Sequence, residues 1–521
     1  VLVTMRKRKV QWLAAACVVC LAQPVFAATE STIVYQDTLD SVGQSYAGEI
    51  SKASTPEYSN IRVVRRGEKA KSATPAEQLP TRIDANKMSY TGSTGDVYAQ
   101  GDVVVSQGNQ TLMAPRIEGN TKTTEYRTVG GYRYLEDGGK TKDITGQNMT
   151  YRTSDRHFEA DQAMGWSAPY YVKGNNATFD GQIGHMEKGM VTTKHAMAFV
   201  HTPDYRVEGQ DIKVYPGDRV VIKKPSFYIK NFKILSLPSY TTSLRHDKEG
   251  KFSIFSLIPK PTYNNDDGIG LHGSTEYPIG KNGEAYIDYR WYSKSGFKPQ
   301  VGYRHYLPWG TASVGYSKES NEYNDETVWV EKIGEARLDT HTYHLGNSPI
   351  TVRGGVNAGY WKEGSVKGSH KEYYAEVSHD PIKLGKNADL RFLGGYQRDY
   401  YGYDGSIRSM PYWGARFQSK VGNRANVWVS YNQRNITYNN SPYRFDTTEL
   451  PKELIYGGTY KLTRLDDISV SVKNNMMSGD IDSVYYTWHR DLHSFDMYLT
   501  YKDGHKNKND QWKIKFVGKD F

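Results

Sequence analysis

Cysteine is nearly absent from this chain. Cys17 and Cys20 are the two cysteines among 521 residues, and both lie near the start. The rest of the chain therefore has no thiol for a disulfide, a thiolate metal site or a cysteine nucleophile. Long apolar runs are also absent beyond the first 27 residues, and the mean hydropathy is −0.70. A helical membrane protein is excluded on that ground.

Motifs with a known catalytic mechanism are missing as well. The sequence contains no HExxH, no GxSxG and no phosphate-binding loop. We therefore expect no catalytic residue, no metal site and no cofactor. A lipid-acting outer-membrane enzyme stays open as an alternative, because a Ser–His pair assembled only in space leaves no motif.

The first 27 residues have the pattern of an export signal. Four basic residues, Arg6–Lys9, precede an apolar run from Val10 to Ala22, and small residues surround Ala27. These are the parts of a cleaved secretory signal, and a run of about 13 residues is short for a membrane span of about 20. We expect the protein to be exported and residues 1–27 to be removed by cleavage after Ala27. A net charge of +10 then suits an anionic partner such as phosphorylated lipid, and nucleic acid is not expected.

Residues 28–80 and 81–244 differ in composition. The first segment is polar and poor in aromatics, which predicts a linker or weakly ordered arm. In the second, Ala85–Val105 aligns without gaps to Gly146–Trp166 at an offset of 61 residues, and Lys173–Thr193 is a weaker copy. Each copy reads as strand, turn and strand, which cannot bury its apolar face alone. Stacked copies predict a β-solenoid or β-jellyroll (β-taco) around a continuous apolar trough. The trough is either an ordinary core or a partly open groove.

Residues 245–521 change to segments of about ten residues that alternate strictly in polarity, as in AYIDYRW (285–291) and FDMYLTYK (495–502). One face carries charge, which a wet barrel lumen tolerates and a small soluble core does not. The 42 tyrosines and 49 glycines suit interfacial girdles and turns. We predict an antiparallel transmembrane β-barrel of about 14–16 strands, with the terminal Phe521 as its C-terminal signal.

The two halves together resemble a known family. TRIDANKMSYTGSTGDVYAQGDVVVSQGNQTLMAPRIEGN (81–120) resembles the OstA/LptA-type periplasmic domain, and PDYRVEGQDIKVYPGDRVVIKKPSFYIKNFKILSLPSY (203–240) resembles its continuation in the LptD/OstA family of outer-membrane lipopolysaccharide-assembly proteins. The segment FSIFSLIPKPTYNNDDGIGLHGSTEYP (252–278) matches the family's glycine-rich entry into a barrel. The resemblance is clearest from about Thr81 to Pro278.

The resemblance implies transport from a periplasmic trough into a barrel with a lateral seam. Its partners would be lipopolysaccharide, a periplasmic LptA-like bridge protein and the outer-membrane insertion machinery. The predicted location is the outer membrane, with the N-terminal domain in the periplasm. The residues assigned on this basis fall into three groups. The trough lining consists of Val97, Val103, Val105, Leu112, Ile117, Phe158, Phe179, Phe227 and Ile229. The lipid phosphate contacts are Lys223 and Lys224, and the prolines that weaken the first barrel strand are Pro259 and Pro261.

Two features depart from the family pattern. The absence of cysteine excludes the disulfides that join the two domains in better-known members. The barrel segment is also short, which leaves little room for the family's lipoprotein plug. A general porin with an accessory periplasmic domain is the main alternative. It does not require the repeated trough or the proline pair.

Overall fold

The computed structural model describes residues 81–519 apart from 141, 156, 169, 181–182, 194, 198–201, 245–252, 439–440 and 506–508. The predicted signal, the polar arm and Phe521 lie outside the described residues. Regular structure in the described part consists of β-strands and short 3-10 helices. The predicted all-β class is confirmed. In these residues, no helix combines the length and the hydropathy needed to cross a membrane.

The chain divides into two compact units whose main boundary along the sequence lies between Ile258 and Pro259. The predicted boundary between residues 244 and 245 stays a prediction, since 245–252 are not described. The N-terminal unit is one antiparallel sheet of 14 strands. In chain order the strands are β1 Arg82–Asp84, β2 Lys87–Thr91, β3 Asp96–Gln107, β4 Gln110–Asn120, β5 Glu125–Thr128, β6 Gly131–Glu136, β7 Lys142–Arg152, β8 His157–Ser167, β9 Tyr170–Phe179, β10 Gly184–Thr193, β11 Tyr205–Tyr215, β12 Arg219–Ile229, β13 Phe232–Ser236 and β14 Ser239–Ser243.

Neighbours in this sheet follow the chain closely. The main path runs β1–β3–β4–β5–β7–β8–β9–β10–β11–β12–β13, while β2 pairs β3, β6 pairs β4 and β7, and β14 pairs β12. Three 3-10 helices accompany it, at Asp137–Gly139, His195–Met197 and Ser253–Phe255.

The 61-residue repeat is also a structural repeat. Met88 on β2 lies opposite Ala99 on β3, and Met149 on β7 lies opposite Ala160 on β8, so the two hairpins share one register. Their burial differs, since Met88 is 55% exposed and Met149 is fully buried. The cause is that β7 has strand neighbours on both sides, whereas β2 pairs β3 alone among the described strands.

Several long strands of this sheet bend near their middle. Asp102, Asn148, Asn176 and Asp211 have φ between 44° and 51°, a left-handed conformation that Asn and Asp adopt more readily than other non-glycine residues. Their side chains form hydrogen bonds on the outer side of the bends. For example, Asn148 Nδ2 donates to Asp161 Oδ2 at 2.8 Å. The bends let both arms of a strand present apolar residues to one interior.

The C-terminal unit is a closed antiparallel barrel. It contains twenty strand segments, of which β18, β22, β25 and β29 are two or three residues long and lie beside longer hairpins, leaving sixteen full strands. A 3-10 helix, Arg444–Asp446, precedes β30. The segments are β15 Lys260–Asn264, β16 Gly268–Ile279, β17 Gly283–Tyr292, β18 Gly296–Phe297, β19 Gln300–Leu307, β20 Gly310–Tyr323, β21 Glu326–Thr340, β22 Tyr343–His344, β23 Ile350–Glu363, β24 Val366–His379, β25 Ile382–Leu384, β26 Ala388–Tyr401, β27 Ile407–Val421, β28 Ala425–Arg434, β29 Thr437–Tyr438, β30 Lys452–Lys461, β31 Asp466–Asn475, β32 Asp480–Asp491, β33 Phe495–Gly504 and β34 Gln511–Gly518.

The barrel carries its apolar residues outside and its polar residues inside. Ile287 and Trp291 are exposed on the outer face, as the alternation in AYIDYRW predicts. On β33 the alternate residues Asp496, Thr500 and Lys502 are buried toward the lumen. The predicted barrel and its alternation are confirmed, and sixteen strands lie at the top of the predicted range.

Candidate lipid trough and barrel seam

Most of the predicted trough lining is buried on one face of the N-terminal sheet. Strand pairing sets Val105 opposite Leu112 and Ala99 opposite Ile117, which puts them on one side of the sheet. The structure buries seven of the nine predicted residues, namely Val97, Val103, Val105, Leu112, Ile117, Phe158 and Phe227. Phe179 and Ile229 are half-buried. These side chains therefore face an apolar interior.

A group of tyrosines on the same face was missed by sequence reasoning. Tyr132, Tyr134 and Tyr151 are buried. The Tyr151 hydroxyl donates to Gln110 Oε1 at 2.5 Å, and the Tyr132 hydroxyl donates to the Gln162 carbonyl at 3.0 Å. Burial raises the pKa of Tyr132 well above its ordinary value. The alternation of Tyr132 and Tyr134 in GYRYLE was the available signal, but strand residues of this type also occur on solvated faces.

Lys223 and Lys224 lie at the bend of β12, where Lys224 has a φ of 46°. Both side chains are exposed. Lys223 Nζ bonds Asp211 at 2.5 Å, and His185 Nε2 lies 2.9 Å from the same carboxylate. The Lys223 hydrogen bond, with help from His185, lowers the pKa of Asp211. The predicted phosphate contact for these lysines stays a prediction.

The seam between the first and last barrel strands is short. β15 pairs β34 through three residues, Thr262 to Asn264, whereas β23 pairs β24 along all fourteen of its residues. Pro261 lies in β15 just before the first residue paired to β34, and Pro259 immediately precedes the strand. A proline has no N–H to donate to a ladder, so both lie where the seam pairing stops.

The tip of the β20–β21 hairpin bonds to both sides of this seam. Asp325 accepts a bond from Lys502 Nζ on β33 at 2.5 Å, and its carbonyl accepts one from Gln511 on β34. Across the seam, the Thr327 N–H donates to Asp266 Oδ2 of the β15–β16 turn at 2.8 Å. The hairpin tip is therefore hydrogen-bonded to the β15–β16 turn on one side of the seam and to β33 and β34 on the other.

A segment between β29 and β30 packs against lumen-facing residues. Arg408, fully buried, donates to Asp399 at 2.9 Å and to the Asp446 carboxylate at 3.1 Å. Tyr443 and Phe445 of the same segment pack with Trp361. This arrangement fixes residues 443–446 inside the barrel.

His370, Glu372 and Asp399 form the one group of three metal-type ligands found in the described part of the chain, with ligand atoms within 4.8 Å of one another. Both Asp399 oxygens are already engaged, one by Arg408 at 2.9 Å and one by His370 at 3.3 Å. An ion-pair network accounts for these residues without a metal.

Known proteins match parts of this chain. The family model for the LptA/LptD N-terminal domain of LPS transport proteins matches residues 82–221. Two curated relatives, the LPS-assembly protein LptD of Xanthomonas oryzae pv. oryzae strains MAFF 311018 and KACC10331, are 23% identical over 252 residues. Both matches relate this chain to the LptD/OstA family over part of its length. The match spans 47% of this chain and 29% of each LptD relative.

Solved outer-membrane barrels also align with about half of this chain. OmpT of Vibrio cholerae is 12% identical, with a TM-score of 0.29 over 50% of this chain and 94% of that chain. OccK10 of Pseudomonas aeruginosa is 8% identical, with a TM-score of 0.32 over 50% and 96%. Neither similarity carries an argument about function.

Proposed function

We propose that this protein moves lipopolysaccharide from a periplasmic bridge to the outer leaflet of the outer membrane. The observation that carries the proposal is the continuous apolar face of the N-terminal sheet. Val103 and Ile117 on that face are fully buried, and removing acyl chains from water there is worth about 25 cal/mol per Å². An accessory domain of a porin has no need of such a face.

The open end of the sheet supports a bridge partner. Met88 and Tyr90 on β2 are more than half exposed, although their repeat equivalents, Met149 and Tyr151, are buried. A β-domain of the same type stacked on β2 would cover them in the same register. We propose this edge as the docking point of the LptA-like bridge protein.

The seam supports a lateral exit. The contact next to Pro261 joins three pairs of residues, fewer than the five pairs that join β15 to β16 on its other side. We propose that β15 and β34 separate there, with Pro259 and Pro261 ending the pairing. The segment at 443–446 occupies lumen space, so we do not include a lipoprotein plug in the proposal.

Cysteine pairs test the exit, because the chain outside the predicted signal has no cysteine of its own. Thr262→Cys with Lys515→Cys joins opposed residues of the seam, and we expect oxidation to stop lipopolysaccharide export until a reductant is added. The control is Ser430→Cys with Ile455→Cys, opposed residues of β28 and β30. Normal export with the seam locked would refute the lateral exit.

Photocrosslinking tests the trough separately. A photoreactive residue at Val103 or Leu112 should form lipopolysaccharide adducts in cells, and one at the exposed outer position Asp161 should not. Absence of adducts from the trough, together with an open-channel conductance, would favour the porin alternative.

A further inference from the structure

Two cations lie side by side on the outer face of the barrel. On β24, Glu372 is buried toward the lumen whereas Lys371 is exposed, so strand alternation directs Lys371 outward. The exposed Tyr373 lies opposite Arg398 of β26, and directly opposed residues share a face of the sheet. Lys371 lies opposite Tyr400, which makes it a diagonal neighbour of Arg398. Such neighbours are about 7–8 Å apart, so both side chains can reach one small anion.

Neither of these cations has an acid as its partner. Lys371 and Arg398 form no ion pair with any residue that the structure describes. Arg398 is half-buried, its Cζ lies 5.4 Å from the centroid of the Tyr400 ring, and its Nε–H is buried without an acceptor among the described residues. By contrast, Lys362 on the outer face of β23 lies 3.7 Å from Glu331 of β21. The charge of the first pair is therefore not balanced by the protein itself.

An apolar groove extends from these cations across the neighbouring strands. Ala358 on β23 lies opposite Lys371 on one side and Ala336 of β21 on the other. The small side chains leave a groove of about 540 Å³, within the range of about 300–1,000 Å³ typical of ligand sites. On the outer face the groove is lined by Ala312, Ala336, Leu338, Val356, Ala358 and, at one end, Lys371.

The cations lie toward one end of the barrel. Arg398 is three residues from the end of β26 at Tyr401, and Lys371 is five residues from the start of β24 at Val366. Because successive full strands are antiparallel, these strand ends are on the same side of the barrel as the β15–β16 turn. Cations on the lipid-facing side of a barrel are costly at mid-membrane depth and tolerated near an interface. If the chain enters β15 from the periplasm, as proposed above, that interface belongs to the outer leaflet.

We propose that this outer-face site binds one lipopolysaccharide molecule of the outer leaflet, with a phosphate between Lys371 and Arg398 and an acyl chain in the groove. The inference rests on the proposed function, which delivers that lipid to this leaflet. Lysine and arginine form short charge-assisted bonds with phosphate. Tyr373 and Tyr400, whose ring centroids are 6.3 Å apart, border both the cations and the groove. A tyrosine has an apolar ring and a polar hydroxyl, which suits a boundary between headgroup and acyl chain.

The site is separate from the proposed exit. Its cations are on β24 and β26, the eighth and ninth of the sixteen full strands, whereas the seam joins the first and the last. A lipid bound there lies across the barrel from the seam. It would hold the barrel in the outer leaflet, and it would not be a lipid in transit.

Crosslinking from the groove tests the site in the full-length protein in detergent micelles. A photoreactive residue at Val356 reports occupancy of the groove itself, so lipid bound in the trough does not interfere. The probes are lipopolysaccharide, the same lipid after enzymatic dephosphorylation, and phosphatidylglycerol. We expect Lys371→Gln with Arg398→Gln to raise the lipopolysaccharide concentration for half-maximal adduct about tenfold, or about 1.4 kcal/mol, and to leave the dephosphorylated lipid unaffected. The matched control is Lys362→Gln with Lys367→Gln, opposed cations of β23 and β24 outside the groove.

Two further variants keep the test decisive if the double variant does not assemble. Lys371→Gln alone changes an exposed side chain and should still shift the half-maximal concentration for lipopolysaccharide. Ala358→Phe fills the groove without changing the charge and should lower adduct formation by lipopolysaccharide both before and after dephosphorylation.

Three results would overturn the inference. The first is the same half-maximal concentration in the wild type and in the Lys371 and Arg398 variants. The second is an equal shift in the matched control, which would mean that any nearby cation suffices. The third is tighter binding of phosphatidylglycerol than of lipopolysaccharide, which would assign the site to phospholipids. Trough adducts at Val103 would persist in all three cases if only this inference fails, and would be absent if the proposed function fails.

Discussion

Strand alternation has opposite consequences in the two units of this chain. In the N-terminal sheet the apolar residues point inward, and Val103 and Ile117 have no exposed surface. In the barrel the apolar residues point outward, and Ile287 is 49% exposed. Both units use the same two-residue period. What differs is the medium that each face is built to meet.

The polar residues of the two units also lie on opposite faces. Bends in the N-terminal sheet put Asn148 and Asp161 on the exposed outer side. The barrel instead gathers Arg408, Asp399 and Asp446 inside. The first unit therefore keeps charge out of its interior, whereas the second encloses it. The comparison predicts that an added charge is costly on the inner face of the N-terminal sheet and on the outer face of the barrel.

The largest effect is expected from Ile117→Asp in the N-terminal unit. An unpaired carboxylate at a fully buried position should lower the free energy of unfolding by about 5 kcal/mol. Limited proteolysis of the full chain in detergent should then cut within residues 81–244 and spare the barrel. Ile117→Val, which removes one methylene, should cost about 1 kcal/mol. Full protease resistance of the aspartate variant would contradict a closely packed apolar interior around Ile117.

Arg408→Leu probes the charged interior of the barrel. It leaves Asp399 and Asp446 as buried acids without their shared cation, which should cost about 3–5 kcal/mol. Since the bonds to Asp446 hold residues 443–446, we also expect single-channel conductance to rise.

Arg444→Leu is the control within the same segment. Its ion pair with Glu326 is exposed on both sides and should contribute at most about 1 kcal/mol. Equal effects of the two substitutions would show that segment 443–446 is held by something other than Arg408.

Adjacent residues of β17 test the two faces of the barrel directly. Ile287→Arg puts a cation on the outer face, where it should cost about 2–4 kcal/mol at mid-membrane depth. Asp288→Asn changes the neighbouring lumen-facing residue without adding a charge, and should cost less than about 1 kcal/mol. Urea unfolding in lipid vesicles measures both. A smaller cost for Ile287→Arg than for Asp288→Asn would reverse the assigned faces.

The sequence predicts these faces well wherever local alternation decides them. AYIDYRW and FDMYLTYK identified the lumen side of β17 and β33, and the 61-residue repeat has one register in both copies. Contacts between distant segments were not predictable. Asp325 meets Lys502 across 177 residues, and Arg408 meets Asp446 across 38. No periodicity encodes such pairs, because they depend on barrel closure and on where a loop folds inward.

The smallest expected effect concerns the bend at Asp211. The pKa of Asp211 is lowered in the folded protein, first by Lys223 and then by His185. The resulting stabilisation is present above the ordinary aspartate pKa of about 4 and is lost as the pH falls through the lower folded value. The effect is small because Lys223 is mostly exposed. Thermal unfolding of the N-terminal unit should therefore separate wild type from Asp211→Asn at pH 7 and bring them together near pH 3.

Lys223→Met completes this test. It removes the main cause of the lowered pKa, so Asp211→Asn should have a smaller effect in that background than in the wild type. If the two substitutions are additive, Lys223 does not stabilise the Asp211 carboxylate. Asp211 would then stabilise the bend through its left-handed backbone conformation rather than through its charge.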